Sequence, residues 1–152
     1  MIEPGLQKKL KILLLGPNGQ LGKSLKNHLE AFHELECADK KKFNFLNPTN
    51  FSDILKKSKP SLVINAAAYT DVEGAESNEN LANQINSEAL KYIASACEAL
   101  DSTLLHFSTD YVFDGKKNMP YLEEDIPNPI STYGNSKLLG EKIISDNMKN
   151  YI

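Results

Sequence analysis

Residues 11–15, KILLL, form a short apolar run that stops at Gly16. A strand with one wet face alternates apolar and polar residues, whereas a strand covered on both faces does not. This run therefore reads as a strand buried on both sides. Two more such runs follow, SLVINAAA over 61–68 and STLLHFS over 102–108, and a further strand candidate, Glu34–Ala38, ends at Asp39. Helical patterns separate them. Leu21 to Phe32 carries a stripe of Leu21, Leu25 and Leu29, and Thr49 to Lys57 has Asn47 or Thr49 as its cap and Pro60 as its stop. Glu79 to Leu100 is expected as one long helix with Leu81, Ile85, Leu90, Ile93 and Ala94 on its apolar side, and Ser131 to Met148 as the last helix. Residues 115–129, rich in Pro, Asn and charge, read as loop, and NYI at 150–152 reads as the start of another strand. The order βαβαβαβα implies an α/β fold: a Rossmann-like, doubly wound parallel sheet with helices on both faces.

The chain of 152 residues suits one domain, and 41% hydrophobic with 24% charged residues is ordinary for a globular protein with a real core. A net charge of −3 leaves nothing to offset phosphate repulsion along a polynucleotide, so no nucleic-acid partner is expected. The lysine runs Lys8 to Lys11 and Lys40 to Lys42 read as solvated surface, and with no arginine in the chain no guanidinium fork serves an anion. Cys37 and Cys97 lie far apart and outside any CxxC, so both are read as buried small apolar side chains in a reducing compartment. No apolar run approaches the roughly 20 residues that span a bilayer. MIEPGLQKKL lacks the apolar core of a signal peptide, so the expected location is the cytoplasm, with no membrane partner.

The first strand runs into GPNGQLG, which sets Gly16, Gly19 and Gly22 in a G-x-x-G-x-x-G pattern. Glycines let the turn form and let backbone approach a pyrophosphate, while the helix N-terminus supplies free N–H groups and a positive dipole end. The competing reading is an ordinary glycine-rich turn; what weighs against it is the position after the first buried strand and the acid Asp39 at the end of the second. A carboxylate there suits the ribose hydroxyls of NAD, whereas Lys40 beside it suits the 2′-phosphate of NADP, so the two signals conflict.

Later strands also end in small or polar residues on the presumed carboxyl edge, where open α/β sheets bind ligands. NAAAYT, Asn65 to Thr70, offers small alanines that let a cofactor lie against the backbone, the alternative being a close helix–sheet contact. STDYVFDG, Ser108 to Gly115, puts the Thr109 hydroxyl at a strand end, and TYGNSK then places Tyr133 and Lys137 one helical turn apart. A lysine beside a phenol stabilises the phenolate and makes the tyrosine a better proton donor. With 6 Tyr and 17 Lys, roughly 0.7 such pairs arise by composition alone. The pair gains meaning only from its place behind a nucleotide loop and a strand-end hydroxyl.

GPNGQLG, NAAAYTDVEGAE, FSTDYVFDG and PISTYGNSKLLGE together resemble the extended short-chain dehydrogenase/reductases. Within them the chain is most similar to the dTDP-4-dehydrorhamnose reductase family, over about Lys11 to Asn147. FSTDYVFDG is the most discriminating piece. The resemblance implies reduction of the 4-keto group of dTDP-4-dehydro-L-rhamnose, a nucleotide-sugar, by NADPH or NADH. Tyr133 would give the proton, Lys137 would hold the nicotinamide ribose, and Thr109 would hydrogen-bond the same carbonyl, with Asp110 reaching the substrate. Gly16, Asn18, Gly19, Gln20 and Leu21 would line the pyrophosphate, with Asp39 and Lys40 at the adenosine ribose and Asn44 and Phe45 beside the adenine. Ala67, Ala68, Tyr69 and Thr70 would flank the cofactor, and Phe107 would stand behind the nicotinamide. Asn44 departs from the family's usual acid. No metal site is expected.

Family members normally continue for a comparable length, with the last strands and a smaller sugar-gripping domain. Residues 1–152 are therefore expected to be one NAD(P)-binding Rossmann-like domain, incomplete at its C-terminal end, from a fragment or a truncated product. Family members are often dimers, so a homodimer is expected. Two other readings compete: a non-catalytic cofactor-binding regulatory subunit, and a related nucleotide-sugar epimerase. Tyr111 after Asp110, in place of an acid, speaks against a dehydratase.

Overall fold

The computed structural model describes residues 9–152; Lys8 and most of the N-terminal segment read above lie outside the described residues. The elements are β1 (Lys11–Leu15), α1 (Gln20–Leu29), β2 (Glu34–Ala38), α2 (Phe51–Ser58), β3 (Leu62–Asn65), α3 (Val72–Ser77), α4 (Glu79–Asn83), α5 (Ala89–Ala99), β4 (Thr103–His106) and α6 (Thr132–Asn147). Strand order is β2-β1-β3-β4, all pairs parallel. The chain reverses direction across the sheet between β1 and β3, so their carboxyl ends open a crevice there. Beyond β4, Leu104 pairs in parallel with Tyr151, and Ile152 N–H donates to the Leu104 carbonyl at 2.9 Å, so the strand expected at 150–152 does begin.

Successive strand residues point to opposite faces, and the two faces are covered differently. Leu13, Leu15, Val63 and Leu104 face a core completed by Phe51 and Leu55 of α2, Leu90 and Ile93 of α5, and Ile143 and Ile144 of α6. Ile12, Leu14 and Ile64 face the other way, under Leu25 and Leu29 of α1. This is the expected doubly wound architecture. Leu21 departs from the expected stripe: it is 40% exposed, because it sits in the first turn of α1, at the carboxyl edge of the sheet rather than over it.

Other boundaries also differ from expectation. The α1 helix stops at Leu29, and β3 and β4 stop at Asn65 and His106 rather than running on to Ala68 and Ser108. Neither Asn47 nor Thr49 caps α2: the Thr49 hydroxyl donates to Asn47 Oδ1 at 3.1 Å, and a short 3₁₀ turn over Pro48–Asn50 leads into the helix. Cys97 is buried as expected, but Cys37 is only half-buried, on the more thinly covered face.

The long helix expected over Glu79–Leu100 is interrupted. A π-helical turn, Gln84–Glu88, separates α4 from α5, and an unexpected helix α3 precedes them. The wider turn coincides with contacts to residues distant in the chain. Asn86 is 1% exposed, accepts from Tyr69 N–H at 2.8 Å through Oδ1, and donates through Nδ2 to the Tyr69 carbonyl at 3.0 Å and Ser136 Oγ at 2.9 Å. One extra residue per turn re-aims that carboxamide at the loop after β3.

Candidate active site

At the carboxyl end of β1, Gly16 has φ +72°, a left-handed backbone that glycine adopts without a Cβ penalty. A methyl at Gly16 would lie 2.8 Å from the Ala67 Cβ, across the crevice between β1 and β3. A methyl at Gly22 would lie 2.0 Å from the Gly16 carbonyl oxygen, so the first turn of α1 is pressed against the loop. Gly19 caps α1 with no side-chain hydrogen bond, and no acid occupies the first turn. Asn18, Gly19, Gln20 and Leu21 are all exposed around these N–H groups. The result is a backbone cradle with a positive dipole end and nothing anionic in it, which fits a pyrophosphate.

Asp39 follows β2 as expected, but Oδ1 accepts from Lys41 N–H at 3.0 Å and Lys42 N–H at 3.1 Å, so half of the carboxylate is spent on its own turn. Lys42 pairs with Glu36, which also takes the Ser58 hydroxyl at 2.5 Å. Lys40 and Lys41 are exposed beside Asp39. Asn44 is exposed and accepts from Leu46 N–H at 3.0 Å, while the Phe45 ring packs 4.8 Å from Phe43, partly committed to the core. Across the crevice, Ala67 N–H donates to Asn65 Oδ1 at 3.1 Å, Ala68 and Thr70 are exposed, and Tyr69 packs with Val72, Ala75, Ala82 and Tyr133.

The third group of residues comes from β4 and α6. Ser131 accepts from Gly134 N–H at 3.0 Å and starts α6, while both carboxylate oxygens of Glu76 take Thr132, its N–H and its hydroxyl, at 2.8 Å each. Tyr133 follows immediately, 9% exposed, with its ring edge-on to Tyr111 at 5.6 Å. One turn on, Lys137 is 1% exposed. Its Nζ donates to the Phe107 carbonyl at 2.5 Å and lies 3.1 Å from His106 Nε2. Burial pushes Lys137 down to about 8, with Glu141 pulling the other way. Burial first, and the Lys137 charge second, push His106 down to about 3, so this imidazole is neutral near neutral pH. Phe107 is 37% exposed above the lysine. Thr109 caps a 3₁₀ turn, taking Tyr111 N–H at 3.3 Å and offering its own hydroxyl to Asp110 Oδ1 at 3.3 Å.

Sequence patterns alone do not single out His106, Asn65, Asn86 or Glu76. The one available signal is that Asn65 and His106 are polar residues closing otherwise apolar strands.

A cradle at β1, an acid–lysine turn at β2 and a tyrosine–lysine helix beyond β4 share one edge of a parallel sheet, and this arrangement defines a Rossmann-like domain. The family model described as RmlD substrate binding domain matches residues 10–152, and the chain belongs to that family. It is 39% identical over 137 residues to the dTDP-4-dehydrorhamnose reductase of Burkholderia thailandensis, covering 90% of this chain and 46% of that one. The Salmonella typhimurium enzyme of the same name is 37% identical over 147 residues, 94% of this chain and 49% of that protein. Among solved structures, the Bacillus anthracis dTDP-4-dehydrorhamnose reductase in complex with NADP superposes with a TM-score of 0.91 at 34% identity, over 94% of this chain and 51% of that chain. The chain spans about half the length of the curated relatives it matches. No helix among the described residues is long and apolar enough to cross a membrane.

Proposed function

We propose that the chain carries the cofactor-binding and catalytic groups of an NADPH- or NADH-dependent reductase acting on the 4-keto group of dTDP-4-dehydro-L-rhamnose. The observation that most supports this is the buried Lys137 one turn from Tyr133, on the same sheet edge as the acid-free N-terminus of α1. The relatives named above carry that activity in their names, and one binds NADP. We also propose that the protein works in the cytoplasm, as a homodimer.

A bound nicotinamide cofactor supplies the hydride. The chain's own residues do the rest. Gly16, Gly19 and Gly22 keep side chains out of the pyrophosphate cradle, and α1 turns its free N–H groups toward it. Asp39 and Lys40 meet the adenosine ribose, with Asn44 and Phe45 near the adenine. Ala67, Ala68, Tyr69 and Thr70 form one wall and Phe107 the other. Tyr133 gives its phenolic proton to the substrate oxygen, and the Thr109 hydroxyl, swung from Asp110, meets the same oxygen where negative charge builds. Asp110 is then free for the sugar.

NADPH oxidation by this chain with dTDP-4-dehydrorhamnose tests the proposal. Turnover should fall by about 10²–10⁴-fold in Tyr133→Phe, the usual worth of a positioned general acid. Undiminished turnover in that variant, or absence of binding to both NADPH and NADH by the parent chain, would sink it.

A further inference from the structure

Asn65, His106 and Lys137 come from the ends of β3 and β4 and from α6, and they touch in series. Asn65 and His106 are register partners on adjacent strands. Asn65 is 2% exposed, and its Oδ1 accepts from Ala67 N–H at 3.1 Å. A backbone N–H can only donate, so this contact fixes which end of the carboxamide is oxygen. The Nδ2 end then faces His106 Nδ1 at 3.0 Å and can only donate to it. His106 Nδ1 must therefore be bare. A neutral imidazole with a bare Nδ1 carries its proton on Nε2. That N–H points at Lys137 Nζ, 3.1 Å away. An ammonium has three donors and no lone pair, so only the amine can receive it.

We infer that Asn65 and His106 form a one-way hydrogen-bond chain that ends on Lys137 and stabilises its neutral amine, making His106 a positioning residue for the lysine's proton. Burial already brings Lys137 down to about 8, and the chain acts in the same direction. The other groups around Nζ are few. Glu141, on the same helix, favours the ammonium but shares its carboxylate with the Ser108 hydroxyl, and Phe107 contributes only a carbonyl. Tyr133 lies one turn back on α6, with Tyr111 against its ring.

The geometry stands without any assigned reaction; its use in catalysis rests on the reductase reading.

The test needs neither cofactor nor substrate. Long-range ¹H–¹⁵N NMR of the parent chain above pH 8, where Lys137 is the amine, should find the His106 proton on Nε2; a ring protonated on Nδ1 overturns the inference. Titration of the Lys137 side-chain ¹⁵N signal gives the second readout. His106→Phe removes the donor to the amine, so the midpoint should rise by roughly one pH unit; a midpoint that falls or stays put overturns the inference. Asn65→Asp keeps shape and the Ala67 contact but turns the donor into an acceptor. It should flip His106 to the Nδ1–H tautomer, which a merely structural role would not do, and it serves where His106→Phe fails to fold. The expected tautomer in a chain without reductase activity sinks only the reductase reading, and the opposite tautomer in an active chain sinks only this inference.

Discussion

Glu76 holds Thr132 with both carboxylate oxygens, one on the backbone N–H and one on the hydroxyl, each at 2.8 Å. The contact ties α3, at the mouth of the crevice, to the first residue of the helix that bears Tyr133. These bonds, the backbone one first, hold the Glu76 carboxyl below its ordinary 4.5. A carboxyl depressed in the folded state adds stability above its unfolded pKa, and that stability is lost as pH falls through the folded value. Glu76→Gln should therefore unfold at lower urea than the parent at pH 7, with the gap closing below about pH 4. Urea midpoints across that range check it, and a gap independent of pH would refute the clasp.

Asn86 joins the loop after β3 to α6 by three hydrogen bonds from a fully buried carboxamide. Asn86→Ala leaves the Tyr69 N–H and carbonyl without partners, and should cost about 3 kcal/mol in chemical denaturation. A loss under about 1 kcal/mol would mean that the loop finds other partners.

Gly140 lies on α6 where alanine would ordinarily gain about 0.5–1 kcal/mol from helix propensity. Here a methyl would fall 2.3 Å from the Asn86 carbonyl oxygen and 2.8 Å from Leu90 Cδ1. The clash should reverse the sign, so Gly140→Ala is expected to lose roughly 1–3 kcal/mol, read from urea unfolding. A stabilised variant would show that α6 does not approach α5 so closely.

Lys40 and Lys41 stand exposed beside Asp39, whose Oδ1 is already committed to backbone. Under the proposed function this favours a 2′-phosphate over ribose hydroxyls. Lys40→Ala should weaken NADPH binding about 5-fold and leave NADH nearly unchanged, measured by fluorescence titration. Equal losses for both cofactors would remove Lys40 from discrimination.

The strands were readable because burial on both faces leaves an apolar signature that nothing else disturbs. Lys11–Leu15 falls where Gly16 ends it, and Leu62–Asn65 and Thr103–His106 lie within their expected runs. The cradle and the Tyr133–Lys137 spacing were also local, within a few residues of one another. What escaped was non-local. Ser136 belongs to the clasp of an asparagine 50 residues earlier, and Thr132 to that of a glutamate 56 residues earlier. No periodicity records such partnerships. The π turn was hidden for a related reason: Gln84–Glu88 has good helix-compatible residues, and only the pull of Tyr69 on Asn86 widens it. The role of His106 needed the orientation of Asn65, which a backbone N–H decides.

The all-parallel pairing also governs how the chain gets built. β1 leaves the ribosome before its neighbours and ends up inside the sheet, between β2 and β3. Its inner neighbour is distant: Ser61, at the edge of β3, reaches back 50 residues to the Lys11 carbonyl, and Ser102 reaches back 42 to Pro60. No hairpin can nucleate such a sheet, and every pairing must first close a long loop. Synthesis at about 5–20 residues per second leaves KILLL waiting seconds for β3. During that interval β1 is a bare, sticky edge, open to the aggregation that chaperones prevent.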